Sequence, residues 1–292
     1  MKISMNTTAT MHGNVIGDIR IARQAGFAGI ELQDPHLYRY LDLGLPLSRL
    51  VKELDGIEVS AVGCLHDIAN HGRPDGPFLT AVDRMCSIAR ELGAPMIQAI
   101  TGPDDSYFIR DYREGRVARD DARYRDVLGL TPAEMVEYTA SGVAKAARIA
   151  AGYGLKIFLE PLAAAPVNTI RQAVQIIEAA GCDNVGVVID FWHVWTAGET
   201  PEYIASLDKA LIYNVHLCDG LEFDRRKPPL EPELRDVWLG EGAIPLKEWI
   251  DAVKSTGYDG WYTCETFCRR AFEEDPLKTA VTIKNYMDYL FL

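Results

Sequence analysis

Two rhythms of hydrophobic and polar positions alternate along the chain. Short runs that are apolar or β-branched at nearly every residue give way to longer stretches whose apolar residues recur every three to four positions, the spacing of one helix face. The short runs predict strands over 2–7, 29–33, 58–65, 96–101, 156–161, 186–191, 211–217 and 261–266, and the longer ones predict helices near 15–25, 46–54, 76–92, 132–152, 168–180, 201–208, 245–256 and 276–290. Thr131-Pro132-Ala133-Glu134 supplies a capping hydroxyl, a proline for the first helical position and a first-turn carboxylate. Gly26, Gly93, Gly152, Gly181 and Gly257 stand where helices should stop. Runs such as Val185-Gly186-Val187-Val188-Ile189 have no polar face, as parallel strands read when helices cover both sides. Eight strand–helix units of similar length predict an α/β chain folded as a single (β/α)8 TIM barrel over residues 1–292. A doubly wound open sheet is the alternative, disfavoured because no glycine-rich dinucleotide turn follows the first strand.

Two connections break the rhythm. Residues 102–130 are long, polar and rich in Arg and Asp, and residues 220–244 hold Arg225, Arg226, Lys227 and three prolines. Both fall on the C-terminal face of the expected barrel, where loops of this length serve as lids or binding loops, or else as solvated decoration and oligomer contacts.

Composition narrows the function classes. Hydrophobic residues make up 48% and charged residues 25%, which excludes a disordered chain and predicts a sizeable core. A net charge of −12 opposes a phosphate backbone, so nucleic acid is not expected as a partner. No run approaches the ~20 apolar residues of a membrane span, and MKISMNTTATMHG lacks the apolar middle of a signal peptide, so the expected compartment is the cytoplasm, with no membrane partner. The six cysteines form no CxxC pair and read as buried thiols rather than ligands or nucleophiles.

The candidate chemistry lies at the ends of the last four strands. Each carries one ionisable residue in an apolar run: Glu160 in IFLEPL, Asp190 in VVIDFWH, His216 in YNVHLCD and Glu265 in WYTCETF. Brought together around a barrel axis, three carboxylates would cost several kcal/mol each in desolvation and repulsion unless a cation joined them. Three oxygens and one imidazole suit Mn²⁺, with Mg²⁺, Co²⁺, Fe²⁺ and Zn²⁺ compatible. The competing account is separate salt bridges to arginines at the barrel mouth.

These motifs resemble the sugar phosphate isomerase/epimerase superfamily of xylose isomerase-like barrels, which includes ketose 3-epimerases, inosose dehydratase and isomerase, hydroxypyruvate isomerase and 3-dehydroshikimate dehydratase. The resemblance runs the length of the chain through Glu160-Pro161, Asp190 with His193, His216 with Asp219, Glu265, and the Gly240-Glu241-Gly242 turn. It implies that Glu160, Asp190, His216 and Glu265 hold a divalent metal. The metal would stabilise the enediolate of a small carbohydrate substrate, with Glu160 and Glu265 exchanging the proton from opposite faces and His193 orienting or polarising a substrate oxygen. A homo-oligomer, dimer or tetramer, is also implied.

Two positions depart from the ketose 3-epimerases. Pro166 stands where they have a further Glu six residues after the strand-five ligand, and Glu222 where they have an Arg six residues after the strand-seven His. Arg225 or Arg226 is the candidate substitute for substrate contact. The departures favour an inosose, a keto-sugar derivative or an acid over a free ketose. His66, in VGCLHD, is a candidate additional acid/base or a structural imidazole. Glu31, in GIELQ, is a candidate hydrogen-bonding residue toward substrate, and Trp192, Trp195 and Phe267 are an apolar wall or ordinary packing. The leading expectation is a metal-dependent isomerase or epimerase, and the runner-up a lyase or dehydratase using the same enediolate. A DNA-repair endonuclease is disfavoured by the charge and by only six histidines. A binding module with a structural metal is the non-enzymatic alternative.

Overall fold

The computed structural model describes residues 1–102, 105–118, 121, 123 and 126–292. Eight strands, β1 (Lys2–Asn6), β2 (Gly29–Gln33), β3 (Glu58–Leu65), β4 (Met96–Ile100), β5 (Lys156–Glu160), β6 (Val185–Asp190), β7 (Ile212–Leu217) and β8 (Trp261–Cys264), form a closed parallel barrel in chain order. The ring closes where β1 pairs with β8, Ser4 opposite Thr263 and Met5 opposite Cys264. The predicted barrel is therefore observed; β2 and β3 have the expected bounds, and the other strand ends lie within two residues of expectation. At β1 the difference has a local cause: the Asn6 side chain accepts from the Thr8 N–H and turns the chain into a short 3-10 segment, Thr7–Thr10.

Period-two alternation gives the strands an outer face packed against the helices and an inner face in the barrel. The inner face is graded along the axis. Ala61, Met96, Phe158, Val188 and Trp261 form an apolar plug. Higher up, Ser4 and Thr263 share a hydrogen bond of 2.6 Å, and Thr263 Oγ1 donates to Asn214 Oδ1 at 3.2 Å. Beyond these stand Glu31, Glu160, His216 and Glu265, all buried.

The helix at Pro132–Gly152 begins with the expected capping box between Thr131 and Glu134, and the helix Ile170–Ala180 ends at Gly181 in the left-handed conformation (φ +61°). Among the described residues, five further helices were not predicted: Asp34–Asp42, Ser106–Arg113, Phe191–Thr196, Glu231–Leu234 and Arg269–Phe272. All follow strand ends or lie in loops on the mouth side. The long connections thus carry structure of their own, although 103, 104, 119, 120, 122, 124 and 125, within the expected 102–130 loop, lie outside the described residues. The two connections meet where Tyr107 Oη donates to Glu233 Oε1 at 3.1 Å. The 220–244 connection is clamped from below by Asp219, whose carboxylate accepts the backbone N–H groups of Gly220, Gly240, Gly242 and Ile244 at 2.8–3.2 Å. Among the described residues no helix is long and apolar enough to cross a membrane.

Candidate metal centre

Each of the four strand-end residues reaches the centre by the same geometry: an inward position at the last residues of a strand, or one residue beyond it for Glu265. One ligand atom from each of Glu160, Asp190, His216 and Glu265 lies within 4.8 Å of all the others. His216 Nδ1 is 3.5 Å from Glu160 Oε1, 3.8 Å from Asp190 Oδ2 and 3.7 Å from Glu265 Oε2.

The remaining atoms of these side chains are held from outside. Asp190 Oδ1 caps the helix Phe191–Thr196 by accepting the His193 N–H at 2.8 Å, and the Cys218 thiol also donates to it at 3.2 Å. Glu160 Oε2 accepts from Gln98 Nε2. His216 Nε2 lies 3.2 Å from the Glu31 carboxylate. What is left inside is informative: among the described residues, Glu160 Oε1, Asp190 Oδ2 and His216 Nδ1 are buried and have no hydrogen-bond partner. Three such atoms converging on one point are costly without a shared ligand, and the donor set of carboxylate oxygens and one imidazole nitrogen fits a divalent cation.

Electrostatics agree. Burial pushes the Glu160 carboxyl up and takes that of Asp190 to about 8, against the pull of Arg235. Burial opposes the His216 imidazolium, but the carboxylates of Glu31, Glu265 and Glu160 together outweigh it and raise its pKa. Glu265 is also buried, yet His216 and Arg235 hold it below the usual carboxylate range. Burial, with Arg235 nearby, drives the His193 imidazole toward its neutral form. Its Nδ1 accepts the Ala163 N–H at 3.0 Å, which puts the ring proton on Nε2, 4.0 Å from Glu160 Oε1.

The guanidinium at the centre belongs to Arg235, a residue that sequence reasoning does not single out. It is 3% exposed, donates to Glu265 Oε2 at 2.9 Å and to Glu231 Oε1 at 2.6 Å, and lies 3.6 Å from Asp190 Oδ2. Phe267 stacks beneath it, ring centroid 4.3 Å away. Arg225 instead donates to the Trp195 carbonyl at 2.8 Å and lies over that indole, and Arg226 pairs with Asp224 on the surface. Arg235 sits in an irregular polar loop, where no periodicity marks a single position.

His66 stands half-exposed, its Nε2 3.3 Å from Asp34 Oδ2. Glu31 is fully buried, with donors from Asn6, Gln33, Asn214 and His216 around its two oxygens. Trp192 is fully buried against Gly220, where an added Cβ would come within 2.6 Å of the indole. Gln98, missed in the sequence, carries the same signal as the carboxylates: it is a lone polar residue in the apolar run MIQAI.

A family model described as xylose isomerase-like TIM barrel matches residues 19–286. The inosose isomerase of Halalkalibacterium halodurans is 35% identical over 137 residues, 45% of this chain and 48% of that protein. The inosose isomerase of Bacillus subtilis is 34% identical over 137 residues, again 45% and 48%. The 3-dehydroshikimate dehydratase of Pseudomonas aeruginosa is 25% identical over 292 residues, 97% of this chain and 40% of that protein. The chain thus spans about half, or less, of the length of these curated relatives. Among solved structures, the IolI protein with a bound zinc atom superposes with a TM-score of 0.84 at 22% identity, covering 99% of this chain and 98% of that one. A D-tagatose 3-epimerase-like protein gives a TM-score of 0.70 at 18% identity, with coverage of 100% and 98%.

Proposed function

The chain belongs to the xylose isomerase-like TIM barrel family, and from this premise we propose that it is a divalent-metal-dependent isomerase or epimerase of a keto sugar or related polyol carbonyl compound. The observation that carries the reading is the convergence of Glu160 Oε1, Asp190 Oδ2 and His216 Nδ1, buried and without a hydrogen bond among the described residues, beside Glu265. A divalent ion held by these four residues supplies Lewis acidity that makes a C–H beside a carbonyl easier to ionise. Manganese suits the donor set, and the zinc in the IolI structure shows that a related barrel accepts another divalent ion.

The chain's own residues supply the proton handling. Glu160, raised by burial, takes a proton from substrate carbon, and Glu265, held ionised by His216 and Arg235 until it gains a proton from solvent, returns that proton from the opposite side. Arg235 holds the Glu265 carboxylate by a 2.9 Å hydrogen bond, so its second oxygen keeps a fixed direction. His193, neutral and with its proton on Nε2, donates a hydrogen bond to a substrate oxygen near Glu160. The helices Ser106–Arg113 and Glu231–Leu234 on the mouth-side connections are joined by the Tyr107–Glu233 hydrogen bond.

A second reading is a lyase that expels a β-hydroxyl after the same ionisation. Two observations favour it: His66 at the mouth, paired with Asp34, as an acid for the leaving group, and the match to a 3-dehydroshikimate dehydratase over 97% of the chain. One assay separates the readings. Inososes, ketoses and keto-glycosides are incubated with enzyme and Mn²⁺ in deuterated water. Carbon-bound deuterium in an isomeric product supports the first reading. A new ultraviolet-absorbing unsaturated product supports the second. Neither signal with any substrate of the panel overturns both.

A further inference from the structure

Glu31 contributes no atom to the four-residue centre and has no solvent exposure, yet it is bonded, directly or through one or two amides, to three of the four candidate ligands. Its Oε1 accepts from Asn6 Nδ2 at 3.0 Å and Gln33 Nε2 at 3.1 Å, and its Oε2 accepts from Asn214 Nδ2 at 2.7 Å. His216 Nε2 stands 3.2 Å from the same carboxylate. The amides continue outward. Asn6 Nδ2 also lies 3.4 Å from Glu265 Oε1, and Gln33 Nε2 donates at 3.0 Å to Gln98 Oε1, whose own amide donates to Glu160 Oε2. One buried carboxylate on β2 thus ties together groups from β1, β4, β5, β7 and the end of β8.

We infer that Glu31 is the positioning residue of the metal centre: by accepting the Nε2–H of His216 it leaves Nδ1 as the lone-pair nitrogen and aims it at the metal position. The inference rests on the metal-dependent reading given above. A carboxylate can only accept, so an imidazole nitrogen directed at it carries the proton. The other neighbour of that ring nitrogen, Asn214 Nδ2 at 3.3 Å, stands no closer than the carboxylate at 3.2 Å and makes its shorter bond, 2.7 Å, to Glu31. With the proton on Nε2, the neutral ring presents its lone pair at Nδ1, the atom 3.5–3.8 Å from Glu160, Asp190 and Glu265.

Glu31→Gln tests this without changing size. The amide offers one acceptor oxygen where the carboxylate offers two, and its NH₂ brings a donor among four donors. His216 meets that donor by accepting at Nε2, which moves the ring proton to Nδ1 and blocks the lone pair. Zinc titration by calorimetry on the whole protein, with circular dichroism melts as the fold control, reads the affinity. We expect Glu31→Gln to bind Zn²⁺ at least about tenfold more weakly than wild type, the scale of a lost outer partner, and Glu31→Asp to recover part of that loss. Nitrogen-15 spectra of histidine-labelled wild type loaded with Zn²⁺ should show Nδ1 of His216 coordinated and Nε2 protonated, a signature that a merely structural role for Glu31 would not fix. The spectra also decide the matter if Glu31→Gln does not fold. Coordination through Nε2, or a folded Glu31→Gln protein with wild-type zinc affinity, overturns the inference. A wild-type protein that binds neither Zn²⁺ nor Mn²⁺ overturns the functional reading and this inference with it, a result distinct from equal binding by wild type and variant.

Discussion

A carboxylate that moves protons must be able to hold one where it sits, and the surroundings of Glu160 meet that condition. It is buried, its Oε2 is fixed by Gln98, and its Oε1 faces the centre without a hydrogen bond among the described residues. Replacing it by Gln keeps the shape and removes the base. The expected result is a loss of solvent-deuterium exchange of about a thousandfold or more, within the range of general acid–base catalysis, with an unchanged thermal melt. Retained exchange would remove Glu160 from its role. At this scale the four candidate ligands were legible because each is a lone ionisable residue ending an apolar run. The residues that hold them were not. Asn6, Gln33 and Asn214 read as ordinary polar positions, and Arg235 lies 30 residues from the Glu265 it binds, a pairing that only the folded ring creates.

Among elements, the strands were legible because burial on both faces leaves long apolar runs, whereas the mouth-side helices were not. The segment Phe191–Thr196 is rich in aromatic and β-branched residues with poor helix propensity, and it forms a helix because Asp190 caps it. The segment Asp34–Asp42 shares a single crossover with Leu47–Glu53, where the repeating pattern predicted one helix. A different element-level feature escapes propensity altogether. Gly142 lies inside the helix Pro132–Gly152, where glycine is unfavourable, but a Cβ there would collide with the Ile68 carbonyl oxygen and come within 2.8 Å of the Ala69 carbonyl oxygen. Helix propensity alone predicts that Gly142→Ala stabilises. The close approach predicts the reverse, a loss of about 1–3 kcal/mol from overpacking, which chemical denaturation would measure. A stabilised variant would show that this helix has room to move outward from the β3 exit.

For the molecule as a whole, the metal-free centre couples stability to pH. Burial raises Asp190 to about 8, and the surrounding carboxylates raise His216, so the folded chain holds protons here that the unfolded chain has released. Above the ordinary histidine range and up to about pH 8 the folded state therefore binds more protons than the unfolded state, and this centre's contribution to stability falls as pH rises; at lower pH the buried neutral His193 offsets part of the effect. A divalent ion must displace those protons, so its affinity rises with pH over the same interval. At a hundredfold excess over Kd the ion adds about 2.7 kcal/mol, on the order of 5 °C in the melt of a chain this size. Melting scans with and without Mn²⁺ at pH 6 and pH 8 should show the larger upward shift at pH 8. A shift that is equal at both values, or larger at pH 6, would mean that the ion binds elsewhere.

The seam between β1 and β8 has a consequence for assembly. Ser4 shares its hydrogen bond with Thr263, 259 residues further along the chain. Glu160, Asp190 and His216 all emerge before the strand that brings in Glu265. Without β8 the ring has a gap between β7 and β1, and the cradle lacks Glu265. Under the metal-dependent reading, binding by all four residues, and with it the proposed activity, requires β8 to close on β1 and β7.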